Sequence, residues 1–282
     1  MNILLTGAAG FTGHHFALSA QAAGHQVLPL QADLTDKAAV AAEVRQAAPD
    51  AVLHLAAISF VGHADDSDFY RVNVIGTMHL LAAVAALPKP PQKVLLASSA
   101  NIYGNCDASP IHEDQAPAPV NHYAASKLAM EHMARTFSDR LPIVITRPFN
   151  YTGAGQGGQF LIPKLVDHFA RRAPHIELGN LHVEREFNDV RMVCQAYLAL
   201  LLHGQPGQAY NVCSGQTYTL QNVLNMLTAI TGHGIEVRVN PAFVRANEVH
   251  RLCGNPAKLT ACAGPLPPFG LSDTLQWMLE QP

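Results

Sequence analysis

Five short apolar runs punctuate the first half of the chain: NILLTG, HQVLPL, AVLHLAA, KVLLASS and IVITRPF. Each is leucine-rich or β-branched and apolar at successive positions, the pattern of a strand covered on both faces. Between them, apolar residues recur at helical spacing around His14 to Ala23, Lys37 to Ala47, Phe69 to Ala86 and Tyr123 to Phe137. This alternation predicts an α/β chain built on a doubly wound parallel sheet. After Asn150 the pattern breaks into Gly-rich loops, a helix near Ile162 to Arg172 and short segments divided by Pro and Gly. The expected organisation is a sheet domain over 1–150 and a smaller, mainly ligand-binding lobe over 151–282. Part of the latter, about 188–215, is expected to return to the sheet through a helix from Val190 to Leu202 and the strand AYNVC.

Composition narrows the function classes. A chain of 282 residues with 49% hydrophobic and 14% charged residues buries one large core without needing staples. A formal charge of -3 gives no bulk electrostatic reason for a nucleic-acid or membrane-surface partner. The start of the chain lacks a charged leader region, and no apolar stretch nears the roughly 20 residues that span a bilayer, so a cytoplasmic location is expected. The 5 cysteines show no C-x-x-C spacing and the 15 histidines are scattered, so no metal site is expected.

Two motifs supply chemistry. The opening TGAAGFTG runs from a strand through Gly7, Gly10 and Gly13 into a helix, the context of a dinucleotide-binding turn. Gly7 and Gly10 permit a tight turn and close approach to a pyrophosphate, and Gly13 lets the helix pack with its N-terminus facing that anion. Alone, such glycines also describe an ordinary strand-to-helix turn. At mid-chain, YAASK places Tyr123 and Lys127 on one helix face. A phenol titrates near pH ~10 and needs a neighbouring cation to favour its phenolate, a task suited to Lys127. With Ser99 of LLASSANIYG as a hydroxyl partner, the set forms a proton relay for carbonyl reduction or alcohol oxidation. A lone Tyr and Lys at this spacing would more often be a rim aromatic and a solvated charge.

Taken together, TGAAGFTG, VLHLAA with Ser59, RVNVIGT with Asn73, LLASSANIYG, YAASK, RPFNYTG and VEREFNDVR resemble the extended short-chain dehydrogenases/reductases that act on nucleotide sugars. The resemblance runs from Met1 to about the final helix and is strongest to the branch that reduces GDP-4-keto-6-deoxy-mannose. It implies a Rossmann domain binding NAD or NADP through Gly7, Gly10, Phe11, Thr12, Gly13, Asp33, Leu34, Leu55, Ala56, Ala57, Asn73, Tyr123, Lys127 and Pro148. It also implies a substrate site drawing on Ser59, Ser99, Asn101, Asn150, Asn180, Arg185 and Glu248, with Ser99, Tyr123 and Lys127 catalytic. At the end of the second strand stands Gln31, neither the acid that selects NAD nor an arginine for a 2′-phosphate, so the choice between NAD and NADP stays open. Asp33 either contacts adenine, as the resemblance implies, or serves as a turn or cap residue.

Related 4,6-dehydratases carry an acid one or two residues after the serine; here Ala100 and Asn101 stand there, and neither is a Brønsted acid. The reading is therefore an NAD(P)H-dependent 4-ketoreductase of a nucleotide-activated 6-deoxyhexose, forming GDP-rhamnose or its C4 epimer. A 4-epimerase with the same triad is the alternative, and a non-catalytic dinucleotide sensor is the alternative of another class. FYRVNVIGTMHLLAAVAAL and HYAASKLAMEHMARTF are apolar on more than one face. The resemblance implies that these helices pair with a second copy as a four-helix bundle, giving a homodimer; a cover supplied by the segment after Leu252 is the alternative.

Overall fold

The computed structural model describes residues 1–181, 183–243 and 250–281. The elements run β1 (Asn2–Thr6), α1 (Phe11–Ala22), β2 (Gln26–Pro29), α2 (Lys37–Ala47), β3 (Ala51–His54) and α3 (Asp66–Tyr70), which passes through a π-helical stretch (Arg71–Gly76) into α4 (Thr77–Ala85). There follow β4 (Lys93–Ala97), α5 (His122–Arg135), β5 (Ile143–Pro148), β6 (Tyr151–Thr152), α6 (Leu161–Ala170) and β7 (His175–Leu178). The remainder comprises β8 (Glu184–Arg185), β9 (Asn188–Asp189), α7 (Val190–His203), β10 (Ala209–Val212), β11 (Tyr218–Thr219), α8 (Leu220–Thr231), β12 (Glu236–Val239), β13 (Arg251–Leu252), α9 (Ala257–Ala263) and α10 (Leu271–Glu280).

The main sheet has six strands in the order β10-β5-β4-β3-β1-β2, all neighbours parallel, so the expected doubly wound α/β sheet is present. Successive residues of each strand serve opposite layers, as the pleat requires. Ile3, Leu5, Ala51, Leu53, Leu95 and Val144 pack with α1 and α7. Leu4, Val52, Val94, Leu96, Ile143 and Ile145 pack with α2, α4 and α5. Burial on both faces is why the strands read as continuous apolar runs.

The order of winding reverses between β1 and β3, and ligands of open α/β sheets lie outside the carboxyl ends of the strands at such a point. A separate cluster built from α6, α8, α10 and β7, around Leu165, Phe169, Val223, Leu227 and Leu275, stands after the fifth strand. Its α8 begins with a capping box: the Thr219 side chain accepts from the Asn222 backbone, and the Asn222 side chain returns the bond. Among the described residues, the segment after Leu252 makes its main contacts away from α4 and α5. Helix α9 packs on α7 and β10, and α10 packs on α6 and α8.

Candidate active site

At the β1/β3 switch point the glycines leave a cradle that side chains could not share. Gly7 has φ 71°, and a Cβ there would lie 2.8 Å from the Ala56 nitrogen; one on Gly13 would lie 2.1 Å from the Gly7 carbonyl oxygen. The loop after β1 therefore presses against Leu55 and Ala56 at the end of β3. Gly10 caps α1 without any side-chain bond, leaving the first-turn N–H groups of Phe11, Thr12 and Gly13 to face an anion. This backbone cradle suits a dinucleotide pyrophosphate.

A buried hydrogen-bond chain fixes the cradle from beneath. Thr6 Oγ1 accepts from Leu55 N (3.1 Å) and Ala56 N (3.0 Å) and lies 2.7 Å from His54 Nδ1. His54 Nε2 is 2.8 Å from Thr77 Oγ1, which donates to the Asn73 carbonyl. Counting protons settles the tautomer: Thr77 spends its hydrogen on Asn73 and accepts from His54 Nε2–H, so Nδ1 accepts from Thr6. Burial, assisted by the Lys127 charge, pushes the His54 pKa down to about 3, keeping the ring neutral. Asn73 completes the frame, accepting from Ile58 N (2.9 Å) and donating to Ile58 O (3.1 Å) and Ser126 Oγ (3.0 Å).

The relay stands beside this frame. Asn121 caps α5 through its side chain, which accepts from Ala124 N, and the helix then presents Tyr123 and Lys127 one turn apart. Ser99 caps the short 3₁₀ turn Ala100–Tyr103 after β4, accepting from Asn101 N at 3.2 Å. Tyr123, Lys127 and Ser99 are 8%, 5% and 7% exposed, so the three polar heads share a nearly dry enclosure. Lys127 Nζ donates to the Ala97 carbonyl at 2.8 Å. Burial lowers the Lys127 pKa to about 8, against an upward pull from Glu131.

Tyr123 departs from the sequence-based expectation. Burial raises its pKa, and only a side-chain hydrogen bond with Ser99 pulls the other way. The phenol therefore holds its proton at neutral pH, the state a general acid needs.

The other expected residues fall at several places. Leu34 is buried, with its carbonyl bonded to His79 Nδ1 at 2.9 Å. Asp33 accepts from Thr35 N and Oγ1, both at 2.8 Å, and Asp36 caps α2, so of the turn and cap roles Asp33 takes the turn. Just beyond β2, Gln31 N donates to Glu43 Oε2 of α2 at 2.8 Å. Thr12 Oγ1 bonds the Tyr151 hydroxyl at 2.9 Å, and Pro148 ends β5 against Val212.

On the substrate side, Ser59 is exposed just beyond β3, Asn101 lies in the 3₁₀ turn, and Asn150 is exposed beyond β5 while its carbonyl receives Asn188 N at 2.9 Å. Asn180 is half-buried after β7. Arg185 sits on β8, its Nη1 donating to the Glu184 carbonyl at 2.9 Å. Glu248 lies outside the described residues.

Three buried carboxylates, Glu131, Glu186 and Asp189, escaped sequence reading. Glu186, fully covered, accepts from Gly254 N (2.6 Å), Ser214 N (2.8 Å) and Asn188 Nδ2 (2.9 Å), tying three separate segments. Glu131 pairs with Arg147 beneath Lys127. Its spacing of four residues from Lys127 was visible in the sequence; its partner on β5 was not.

The family model described as GDP-mannose 4,6 dehydratase matches residues 20–264. The chain belongs to that family. It is 35% identical to a GDP-6-deoxy-D-talose 4-dehydrogenase of Aggregatibacter actinomycetemcomitans, over 94% of this chain and 92% of the relative. It is 34% identical to a GDP-6-deoxy-D-mannose reductase of Pseudomonas aeruginosa, over 99% of this chain and 96% of the relative. Among solved structures, RMD from Pseudomonas aeruginosa complexed with NADPH superposes with a TM-score of 0.93 at 33% identity, covering 99% of this chain and 98% of that one. A candidate epimerase from Burkholderia cenocepacia J2315 gives 0.93 at 48%, covering 99% and 97%. Similarity along almost the whole chain agrees with the resemblance read from the motifs.

Proposed function

We propose that the protein is an NAD(P)H-dependent 4-ketoreductase of a nucleotide-activated 6-deoxyhexose, acting on GDP-4-keto-6-deoxy-mannose to give GDP-rhamnose or its C4 epimer. The observation that carries this reading is the burial of Ser99, Tyr123 and Lys127 together, each less than a tenth exposed, followed by Ala100 and Asn101, which supply no acid for elimination. Two relatives whose names place them on GDP-6-deoxyhexoses support it. When bound, a reduced nicotinamide supplies hydride to the carbonyl carbon. Ser99 and Tyr123 hold the carbonyl oxygen, Tyr123 yields its proton, and Lys127 stabilises the phenolate left behind. Gly7, Gly10, Phe11, Thr12, Gly13, Asp33, Leu34, Leu55 to Ala57, Asn73, Tyr123, Lys127 and Pro148 hold the dinucleotide; Ser59, Ser99, Asn101, Asn150, Asn180, Arg185 and Glu248 face the sugar nucleotide, the guanidinium toward the diphosphate.

Within this reading, residues 1–150 form the dinucleotide-binding domain, and 151–282 form mainly the substrate lobe, with about 188–215 belonging to the sheet. The enzyme works in the cytoplasm as a homodimer through α4 and α5. Ile75 and Met78 at 42% and 36% exposure support that interface, since α9 and α10 pack elsewhere.

Incubation with reduced nicotinamide and GDP-4-keto-6-deoxy-mannose should consume one equivalent of each and leave GDP-mannose untouched, with Tyr123→Phe at least ~100-fold slower. A 4-epimerase is the alternative, less favoured beside two relatives named for GDP-6-deoxyhexose oxidation and reduction. Interconversion of two 4-hydroxy sugars without net consumption of nicotinamide would establish it instead, and dinucleotide binding without chemistry would leave the sensor.

A further inference from the structure

Beneath the relay, Glu131 is 1% exposed and Arg147 4%, a fully enclosed ion pair in the layer between α5 and β5. The guanidinium grips the carboxylate with both arms, Nε to Oε1 at 3.0 Å and Nη2 to Oε2 at 2.8 Å. Its remaining nitrogen, Nη1, donates to the Tyr103 hydroxyl and the Glu113 carbonyl, both at 2.9 Å. Tyr103 passes its own proton to Asn211 Oδ1 at 2.7 Å on β10, and Asn211 N donates to Glu113 Oε1 at 2.8 Å. Two ends of this network touch the relay. Glu131 lies one turn beyond Lys127 on the same face of α5. Tyr103 closes the 3₁₀ turn that Ser99 opens.

We propose that Glu131, held in the fork of Arg147, is a positioning residue for the reaction. It keeps Lys127 charged inside the enclosure and, through Arg147 and Tyr103, locks the helix bearing Tyr123 and Lys127 to the turn bearing Ser99. The inference rests on the ketoreductase reading for its catalytic meaning, but not for its electrostatic one.

The charges around Lys127 show why one carboxylate decides. Facing it are His54 on β3, neutral with its proton on Nε2, and the Ala97 carbonyl of β4, which receives Nζ; Tyr123, one turn earlier on α5, is held protonated by burial. Arg147 adds a second cation from β5, beyond Glu131, while Tyr103 remains a phenol, pushed up to about 12 by burial. Glu113 approaches Arg147 through its backbone carbonyl and gives its carboxylate to Asn211. Glu131 is thus the anion between two buried cations. Without its charge both would share a low-dielectric site, and Lys127, the one able to shed a proton, would shed it.

The test follows the Lys127 ammonium by NMR of protein labelled at lysine Cε, in the substrate-free wild type and in Glu131→Gln, alongside the pH profile of kcat/KM. Glu131→Gln should lower the Lys127 titration from about 8 by at least about one unit. The alkaline limb of the activity profile should fall with it, while dinucleotide affinity stays within about twofold. Glu131→Gln combined with Arg147→Met removes both buried charges and should show a smaller shift in the same direction. An unmoved Lys127 titration overturns the proposal, whether or not turnover drops. If the wild type reduces no keto sugar nucleotide while Lys127 still shifts, the ketoreductase reading fails and the electrostatic inference stands.

Discussion

His54 sits inside VLHLAA as an ordinary strand residue by sequence, yet it ties the ends of β1 and β3 to the start of α4. Its consequence is a pH dependence with a definite sign. Unfolded, an imidazole takes its proton near 6.5; folded, His54 resists until about 3. Between these values the unfolded chain binds more protons, so stability is intact above 6.5 and falls as pH drops below it. At pH 5 the loss from this one group is about 2 kcal/mol. Urea denaturation at pH 7 and 5 should show His54→Asn less stable at pH 7 but losing about 2 kcal/mol less than wild type on acidification; equal losses would mean that His54 charges freely in the fold. Legibility at this scale divides by range. Tyr123 and Lys127 were readable because one helix turn joins them. The neutral His54, the Glu131 partner on β5 and the Glu43 carboxylate at β2 were not, because each depends on which strand lies beside which.

The helix expected from Phe69 to Ala86 is instead α3, six π-helical residues and α4. The wider turn has a physical use: it turns Asn73 inward, where the amide satisfies both the N–H and the carbonyl of Ile58. Gly76 closes the same stretch, since a Cβ there would stand 2.8 Å from Leu34 Cβ. Sequence periodicity cannot register one extra residue in a turn, so the helix was legible and its bulge was not. Asn73→Ala strands two backbone groups of Ile58 and should cost about 1–3 kcal/mol. Dinucleotide affinity should fall as well, because the loop after β3 borders the glycine cradle. Thermal unfolding and fluorescence titration check both, and a variant with wild-type affinity would detach the π-turn from the cofactor site.

For the molecule as a whole, the doubly wound sheet and the return of AYNVC to it were implicit in the alternation of apolar runs, while the strand order and the destination of the residues after about 215 were not. Their helices follow the segment's own apolar stripes to α7 and to the cluster of α6 and α8, leaving Ile75 and Met78 of the π-turn and α4 in the open. A homodimer through this face predicts a dimer in sedimentation at micromolar concentration. Ile75→Glu with Met78→Glu should yield monomers whose unfolding midpoint, measured at concentrations where wild type also dissociates, moves little, since neither side chain supports the core of one chain. A wild-type monomer at that concentration would remove the interface.

The late arrival of β10 has a consequence for how the chain comes into being on the ribosome. Until Ala209–Val212 emerges, β5 is an open edge with one row of backbone groups unpaired, and until α7 emerges the layer over Leu95 and Val144 is bare. Synthesis of the first 150 residues therefore yields every strand around the glycine turn but no finished sheet. Closure therefore comes in two arrivals, the covering layer with Val190–His203 and the edge strand with Ala209–Val212, and until then the nascent chain carries an open strand edge of the kind that invites wrong pairing.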